Sequence, residues 1–321
     1  MSLSTLRPHT GNTSAGALLV LGSATCFGLS VVAAKAVFAT GTTVQGMLVG
    51  RFAVAALVLW AVVAARRPAW PDQRTLLTCV GLGAVGYAAQ SSLYFGAVAS
   101  MSAGTAALLL YTYPALVTLA GFLTRRESPT RRTLTALACS ALGMVLLLGL
   151  GGVDTGSPTG AALALGAALT CSAYTIAAST VPRSADIFVV TAVLTTAALA
   201  SLAALAGATG SPLGLGASPL AWGWIAAFSL VGTVLALVLH QSGLQRLGPS
   251  RTAILSCVEP VVAAVSVALV FGDRLTLGQA LGGAAVLGSV VSLQCRRTRR
   301  AVAHLPTRRH TERDAPHPYA A

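Results

Sequence analysis

The 321 residues are 55% hydrophobic and only 9% charged, with a mean hydropathy of +0.77. Those values lie outside the range of soluble globular domains and point to a chain that lives in a bilayer. The net charge of +13 comes from 21 basic residues, all arginine except Lys35, against 8 acidic ones. The arginines gather between long apolar runs and at the C-terminus, a pattern of membrane flanks that argues against nucleic acid as a partner.

Residues 1–15 form a short polar N-terminus with one basic residue, Arg7. The apolar run 16–37 is too long for a typical signal-peptide core, and many more follow it, so it is predicted as an uncleaved first helix. Further runs lie at 44–65, 75–99, 103–123, 133–151, 159–181, 187–207, 220–242, 252–271 and 275–295. Each has about 19 to 25 residues, enough to cross a hydrocarbon core of roughly 30 Å. In lipid every backbone amide needs an internal partner, and no period-two alternation appears, so these runs are predicted as helices. The predicted fold class is an all-α polytopic membrane protein with ten transmembrane helices. Residues 296–321 carry seven arginines and three prolines and read as a basic, disordered tail.

The arginines also orient the chain. Arg66, Arg67 and Arg74 follow the second run, Arg125, Arg126, Arg131 and Arg132 the fourth, and Arg183 the sixth. Arg246 and Arg251 flank the turn after the eighth, while the alternate loops hold only Arg274 beside Asp273. The positive-inside rule then puts both termini in the cytoplasm of a cell whose inner or plasma membrane holds the protein.

Two copies of one unit are visible in the chain. The stretch from Tyr94 to Glu127 aligns without gaps on the stretch from His240 to Asp273, with Leu109 on Leu255, Pro114 on Pro260 and Thr130 on Thr276. Gly16–Gly22 aligns on Gly160–Gly166 with five identities in seven. The predicted units are 16–151 and 159–295, of five helices each. Five is an odd number, so the second unit enters the membrane from the opposite side, and inverted repeats of this kind place a binding site near the midplane.

Tyr94, Gly104, the run Ala106-Ala107-Leu108-Leu109, Pro114 and Glu127 resemble the repeat unit of the EamA family, within the drug/metabolite transporter superfamily. The Arg51-Phe52 pair resembles that family's second span. The resemblance covers about residues 16–295 and implies a ten-helix carrier of small metabolites, amino acids or drugs.

Ionisable groups within the apolar runs are the first candidates for function, because each is costly to bury in lipid. Glu259, directly before Pro260, is the one acid well inside a run; Glu127, Asp154, Asp186 and Asp273 fall at predicted interfaces. It either handles substrate, protons or gating, or packs helices as a hydrogen-bonded side chain. Arg51 lies about 10 Å into its helix at 1.5 Å per residue. It either snorkels outward or pairs structurally, or it lines a cavity. Lys35, near the outer end of the first helix, is placed to snorkel. Pro114 and Pro260 each remove a helical hydrogen bond, freeing the carbonyls of Leu110 and Ser256. The result is either a plain kink or a distorted backbone beside a transport path. Tyr94, Tyr111, Tyr113, Tyr174 and His240 add polar handles, each a packing residue or part of a cavity for an amphipathic solute.

Six cysteines without CxxC spacing read as small packing residues, with neither a zinc site nor a redox pair. No Walker motif, HExxH or GxSxG occurs, so no ATP engine, metal or cofactor is expected and the chain is not expected to be an enzyme. Gly278 and Gly282 form a GxxxG, either packing spans of one chain or pairing two copies as a homodimer. The expected function is a secondary transporter, an exporter working by alternating access between the two units. An importer or exchanger of the same solutes is the alternative. An intramembrane enzyme or a non-transporting membrane protein fits less well.

Overall fold

A computed structural model describes residues 13–98, 100–101, 103–124, 130–146, 158–214, 218–272 and 276–302. Every regular element among them is helical. In chain order the first half holds α1 (Thr13–Ala39), α2 (Val44–Arg66), α3 (Gln73–Gly81), a π-helical segment (Leu82–Tyr87), α4 (Ala88–Val98), α5 (Ala103–Leu110), α6 (Tyr113–Leu123) and α7 (Arg131–Met144). The second half holds α8 (Pro158–Ala178), α9 (Ile187–Thr209), α10 (Pro219–Ser229), a second π-helical segment (Leu230–Leu235), α11 (Ala236–Leu247), α12 (Pro249–Ser256), α13 (Glu259–Phe271) and α14 (Leu277–Val302).

The helix ends follow from local chemistry. Thr43, Thr130, Asp186 and Ser218 are N-caps whose side-chain oxygens accept from the amides of Gly46, Thr133, Phe188 and Ala221. Each satisfies a donor that the first turn leaves unpaired. Glycines end α9 and α13 in the left-handed region, Gly210 at φ 61° and Gly272 at φ 75°.

Among the described residues, eight helical stretches are long and apolar enough to cross a membrane: Thr13–Ala39, Val44–Arg66, Gln73–Tyr94, Thr105–Leu123, Pro158–Ala178, Ile187–Thr209, Pro219–Leu247 and Pro249–Phe271. The described part of the fifth predicted span and the apolar part of the tenth fall short of that length. Helix α7 runs toward 147–157, which lie outside the described residues, and the apolar part of α14 is Leu277–Ser292. Helix α14 itself continues to Val302, seven residues past the predicted boundary at 295; 303–321 and the acids Glu127, Asp154 and Asp273 also lie outside the described residues.

Packing does not follow the sequence boundary between the two units. Helix α1 lies against α10, α11, α12 and α13 of the second unit, and α8 lies against α4, α5 and α6 of the first. Helix α2 pairs with α9, and α7 with α14. The exchange depends on small residues, as close helix approach in lipid generally does. A Cβ at Gly28 of α1 would stand 2.7 Å from the Glu259 carbonyl oxygen and 2.7 Å from Val262 Cβ. A Cβ at Gly143 of α7 would stand 2.8 Å from the Gly282 carbonyl oxygen. The GxxxG stripe of α14 is therefore in use within the chain, against α7. Ser140 and Ser289 join the same pair of helices through a 2.6 Å bond between their hydroxyls.

Candidate functional site

The two matched prolines do more than kink their helices. Proline cannot donate, and the residue before it is pushed away from the α conformation. Around Pro114 the helix stops at Leu110 and restarts at Tyr113; around Pro260 it stops at Ser256 and restarts at Glu259. Tyr111 N still reaches four back to Ala107 O at 2.9 Å, but Thr112 N turns to Leu109 O at 3.2 Å, and Cys257 N and Val258 N to Ile254 O at 3.2 Å and Leu255 O at 3.3 Å, each three residues back. Each repeat thus holds one discontinuous helix, with fresh N-termini at residues 113 and 259.

Glu259 occupies the first turn of α13, where the positive end of the helix dipole favours a carboxylate. It is half-buried. The Tyr111 hydroxyl faces its carboxyl, and Tyr94, Cys171 and Cys257 lie close enough to interact with it electrostatically. Tyr111 and Tyr113 follow on from one another, their ring centroids 6.1 Å apart. Tyr113 itself turns to structural use: its hydroxyl donates to the Ala253 carbonyl at 3.3 Å, and its own carbonyl accepts from Ser172 Oγ at 3.2 Å. One centre therefore gathers Glu259, Pro260, Pro114, Tyr94, Tyr111 and Tyr113 from both discontinuous helices and α4.

Arg51 builds a second centre. The sequence left outward snorkelling and a cavity role open; the structure turns the side chain inward, 8% exposed. Its Nε donates to Thr233 Oγ1 at 2.6 Å, and its Nη2 to the Tyr87 hydroxyl at 3.1 Å and the Gly232 carbonyl at 3.3 Å. Those partners come from both π-helical segments, a rare geometry that recurs at functional positions. The Tyr87 ring packs edge-on against Tyr174 at 5.9 Å, and the Tyr174 hydroxyl accepts from Gln241 Nε2 at 3.1 Å. Arg51 and Tyr174 are thus linked through Tyr87. Arg51 is also near enough to Glu259 to interact with it across the interior.

The remaining candidates sit apart. Lys35 is exposed, its Nζ 4.1 Å from the Phe271 ring centroid, in keeping with a snorkelling stem. His240 is half-buried and packs edge-on against Phe27 at 6.5 Å. Sequence reasoning missed Tyr87, Thr233 and Gln241. Tyr87 stands seven residues before Tyr94 on the same span, and Gln241 is a polar residue directly after His240 in an apolar run; both were visible signals. Thr233 carried none.

A cavity of about 450 Å³ opens on the arginine-rich side of the protein. It is lined by Pro68 and Ala69 after α2, Arg183 and Asp186 before α9, and Ser242 and Gln245 on α11. Gln245 lies one helical turn beyond Gln241, so the cavity and the Arg51 centre share one face of α11.

The sequence profile of the EamA-like transporter family matches residues 14–149 and, a second time, residues 158–293. The uncharacterized transporter YcbK of Bacillus subtilis is 26% identical over 295 residues, spanning 88% of this chain and 94% of its own. The uncharacterized inner membrane transporter YicL of Salmonella typhimurium is 32% identical over 207 residues, 62% of this chain and 67% of its own. A solved crystal structure superposes with a TM-score of 0.75 at 20% identity, covering 89% of this chain and 99% of that one, which shows a shared fold. With its long apolar helices, these relatives make the chain a multi-pass membrane protein.

Proposed function

Since the chain belongs to the EamA-like transporter family, we propose that it is a secondary carrier that moves small metabolites, amino acids or drugs outward across the cell membrane. The observation that carries this reading is the pair of discontinuous helices meeting between the repeats, with one ionisable residue, Glu259, at the break. Interrupted helices at a repeat interface are how secondary transporters build a midplane site. In this reading the chain crosses the membrane ten times, both termini are cytoplasmic, and the halves alternate access around the centre formed by Glu259, Tyr111 and Tyr94. The exchange of α1 and α8 supports motion of mixed halves rather than of the two sequence units as blocks. The cavity on the arginine-rich face supports loading from the cytoplasm, hence export.

Proteoliposomes holding only this protein test the reading. Loaded with a panel of labelled metabolites, amino acids and cationic drugs, they should release at least one solute faster than protein-free liposomes, without ATP and in response to a solute or proton gradient. Release that occurs only with ATP, or none above the protein-free rate for any solute, contradicts it.

A further inference from the structure

Arg51 is a cation enclosed in an apolar interior, and among the described residues its hydrogen-bond partners are all neutral: Thr233, Tyr87 and the Gly232 carbonyl. An intramembrane charge of this kind normally pairs with another or faces a path for ions or solutes. The faces of the guanidinium are covered by rings, its Cζ lying 4.4 Å from the Phe228 centroid and 5.1 Å from that of Phe52. Nε and Nη2 are engaged along two edges. Nη1 makes no hydrogen bond among the described residues. The Tyr87 hydroxyl, which accepts from Nη2, has a proton of its own with no acceptor among them.

Two donors thus stand side by side with nothing to receive them. Among the described residues the one fully enclosed side-chain polar atom without a partner is Ser250 Oγ, so Nη1 is not sealed away. The stacked rings and the Thr233 bond hold the guanidinium in place before any ligand arrives, which reduces the ordering cost of binding.

We propose that Arg51 and Tyr87 form an oxyanion subsite, and that the transported solute carries a carboxylate that docks there. One or both carboxylate oxygens accept from Nη1 and the Tyr87 hydroxyl, a charge-assisted pair stronger than its neutral counterpart. Glu259, across the interior, takes no part in this subsite. The subsite draws both donors from the first repeat, on α2 and the first π-helical segment, while Thr233 and Gly232 of the second repeat brace Arg51. A neutral amide of the same shape would set its own N–H groups against these donors and gain little.

This inference rests on the carrier reading only in calling the ligand a cargo. Protection without flux would uphold the subsite and sink the carrier; flux without protection would do the reverse. Phenylglyoxal labelling of arginines in the purified full-length protein, read peptide by peptide by mass spectrometry, tests it with benzoate as the probe. At about ten times its dissociation constant, benzoate should slow Arg51 labelling about tenfold, since only the unoccupied fraction reacts. Arg183 should be unaffected, and benzamide should protect neither. Equal Arg51 rates with and without benzoate overturn the proposal. So does an Arg51 that stays unlabelled in both, because it would then be closed to solutes. Thermal unfolding gives a second arm: benzoate should raise the Tm of the parent and of Arg51→Lys but not of Arg51→Gln, and an equal rise in Arg51→Gln overturns the subsite. Should Arg51→Gln fail to fold, the labelling of the parent decides alone.

Discussion

The two discontinuous helices, α5–α6 and α12–α13, share a backbone and differ in chemistry. Both break two residues before a restart, both carry proline in the first turn of the restarted half, and both present the first residue of that half to the leading helix of the other repeat. On one side Ser172 of α8 donates to the Tyr113 carbonyl. On the other, Gly28 of α1 sits against the Glu259 carbonyl with no room for a side chain. The first residue is a buried tyrosine whose hydroxyl is committed to Ala253 in one copy, and a half-buried glutamate facing Tyr111 in the other. Duplication supplied the geometry twice. Only one copy holds a carboxylate at the first position of its restarted half; the other commits that position to packing.

Making the two breaks alike in charge should have the largest effect on the fold. Tyr113→Glu would put a second carboxyl where a phenol now packs and would lose the bond to Ala253. An ionisable group at such depth costs roughly 2.5–3.5 kcal/mol, so the variant should unfold well below the parent in a thermal melt. An unchanged Tm would mean that the two breaks are equally open to charge.

Filling the contact on the Glu259 side comes next. Gly28→Val would press against the Glu259 carbonyl and Val262, and overpacking of this kind costs about 1–3 kcal/mol. Its melt should fall accordingly and, in liposomes, transport should fall with it, because α1 holds the restarted half of α13 in place. A Gly28→Val protein as stable as the parent would show that the close approach is not needed.

Removing the matching contact on the Tyr113 side should matter least. Ser172→Ala gives up a long bond that shares its one proton with the Ala168 carbonyl. Interhelical hydrogen bonds in membrane proteins average only about 0.6 kcal/mol. The variant should melt within a degree or two of the parent and transport normally. A loss as large as that of Gly28→Val would overturn the distinction between the two breaks.

Much of this architecture was legible in the sequence because it depends on local pattern. Apolar run length gave eight of the ten predicted spans, the spacing from Tyr94 to Pro114 and from His240 to Pro260 gave the repeat, and proline chemistry marked both breaks. Glu259 stood out because no other carboxylate lies so deep in a run. The exchange of α1 and α8 left no local trace, since their apolar surfaces suit either partner. The direction of Arg51 was equally hidden. Depth along a helix says how far a charge is from water, but which way it turns depends on neighbours such as Thr233, which lies 182 positions away. The π-helical segments had no sequence signature either, as they keep the composition of the α-helices around them.

The account is tested most directly by Glu259→Gln in proteoliposomes, comparing accumulation under an imposed proton gradient with solute exchange at equal pH. Glutamine keeps the shape and removes the charge. The account predicts that gradient-driven accumulation falls about tenfold or more, roughly 1.4 kcal/mol of lost coupling for each tenfold, while exchange remains measurable. A folded, inserted Glu259→Gln protein that accumulates solute like the parent, with the same pH dependence, would contradict it and leave the glutamate as a packing residue.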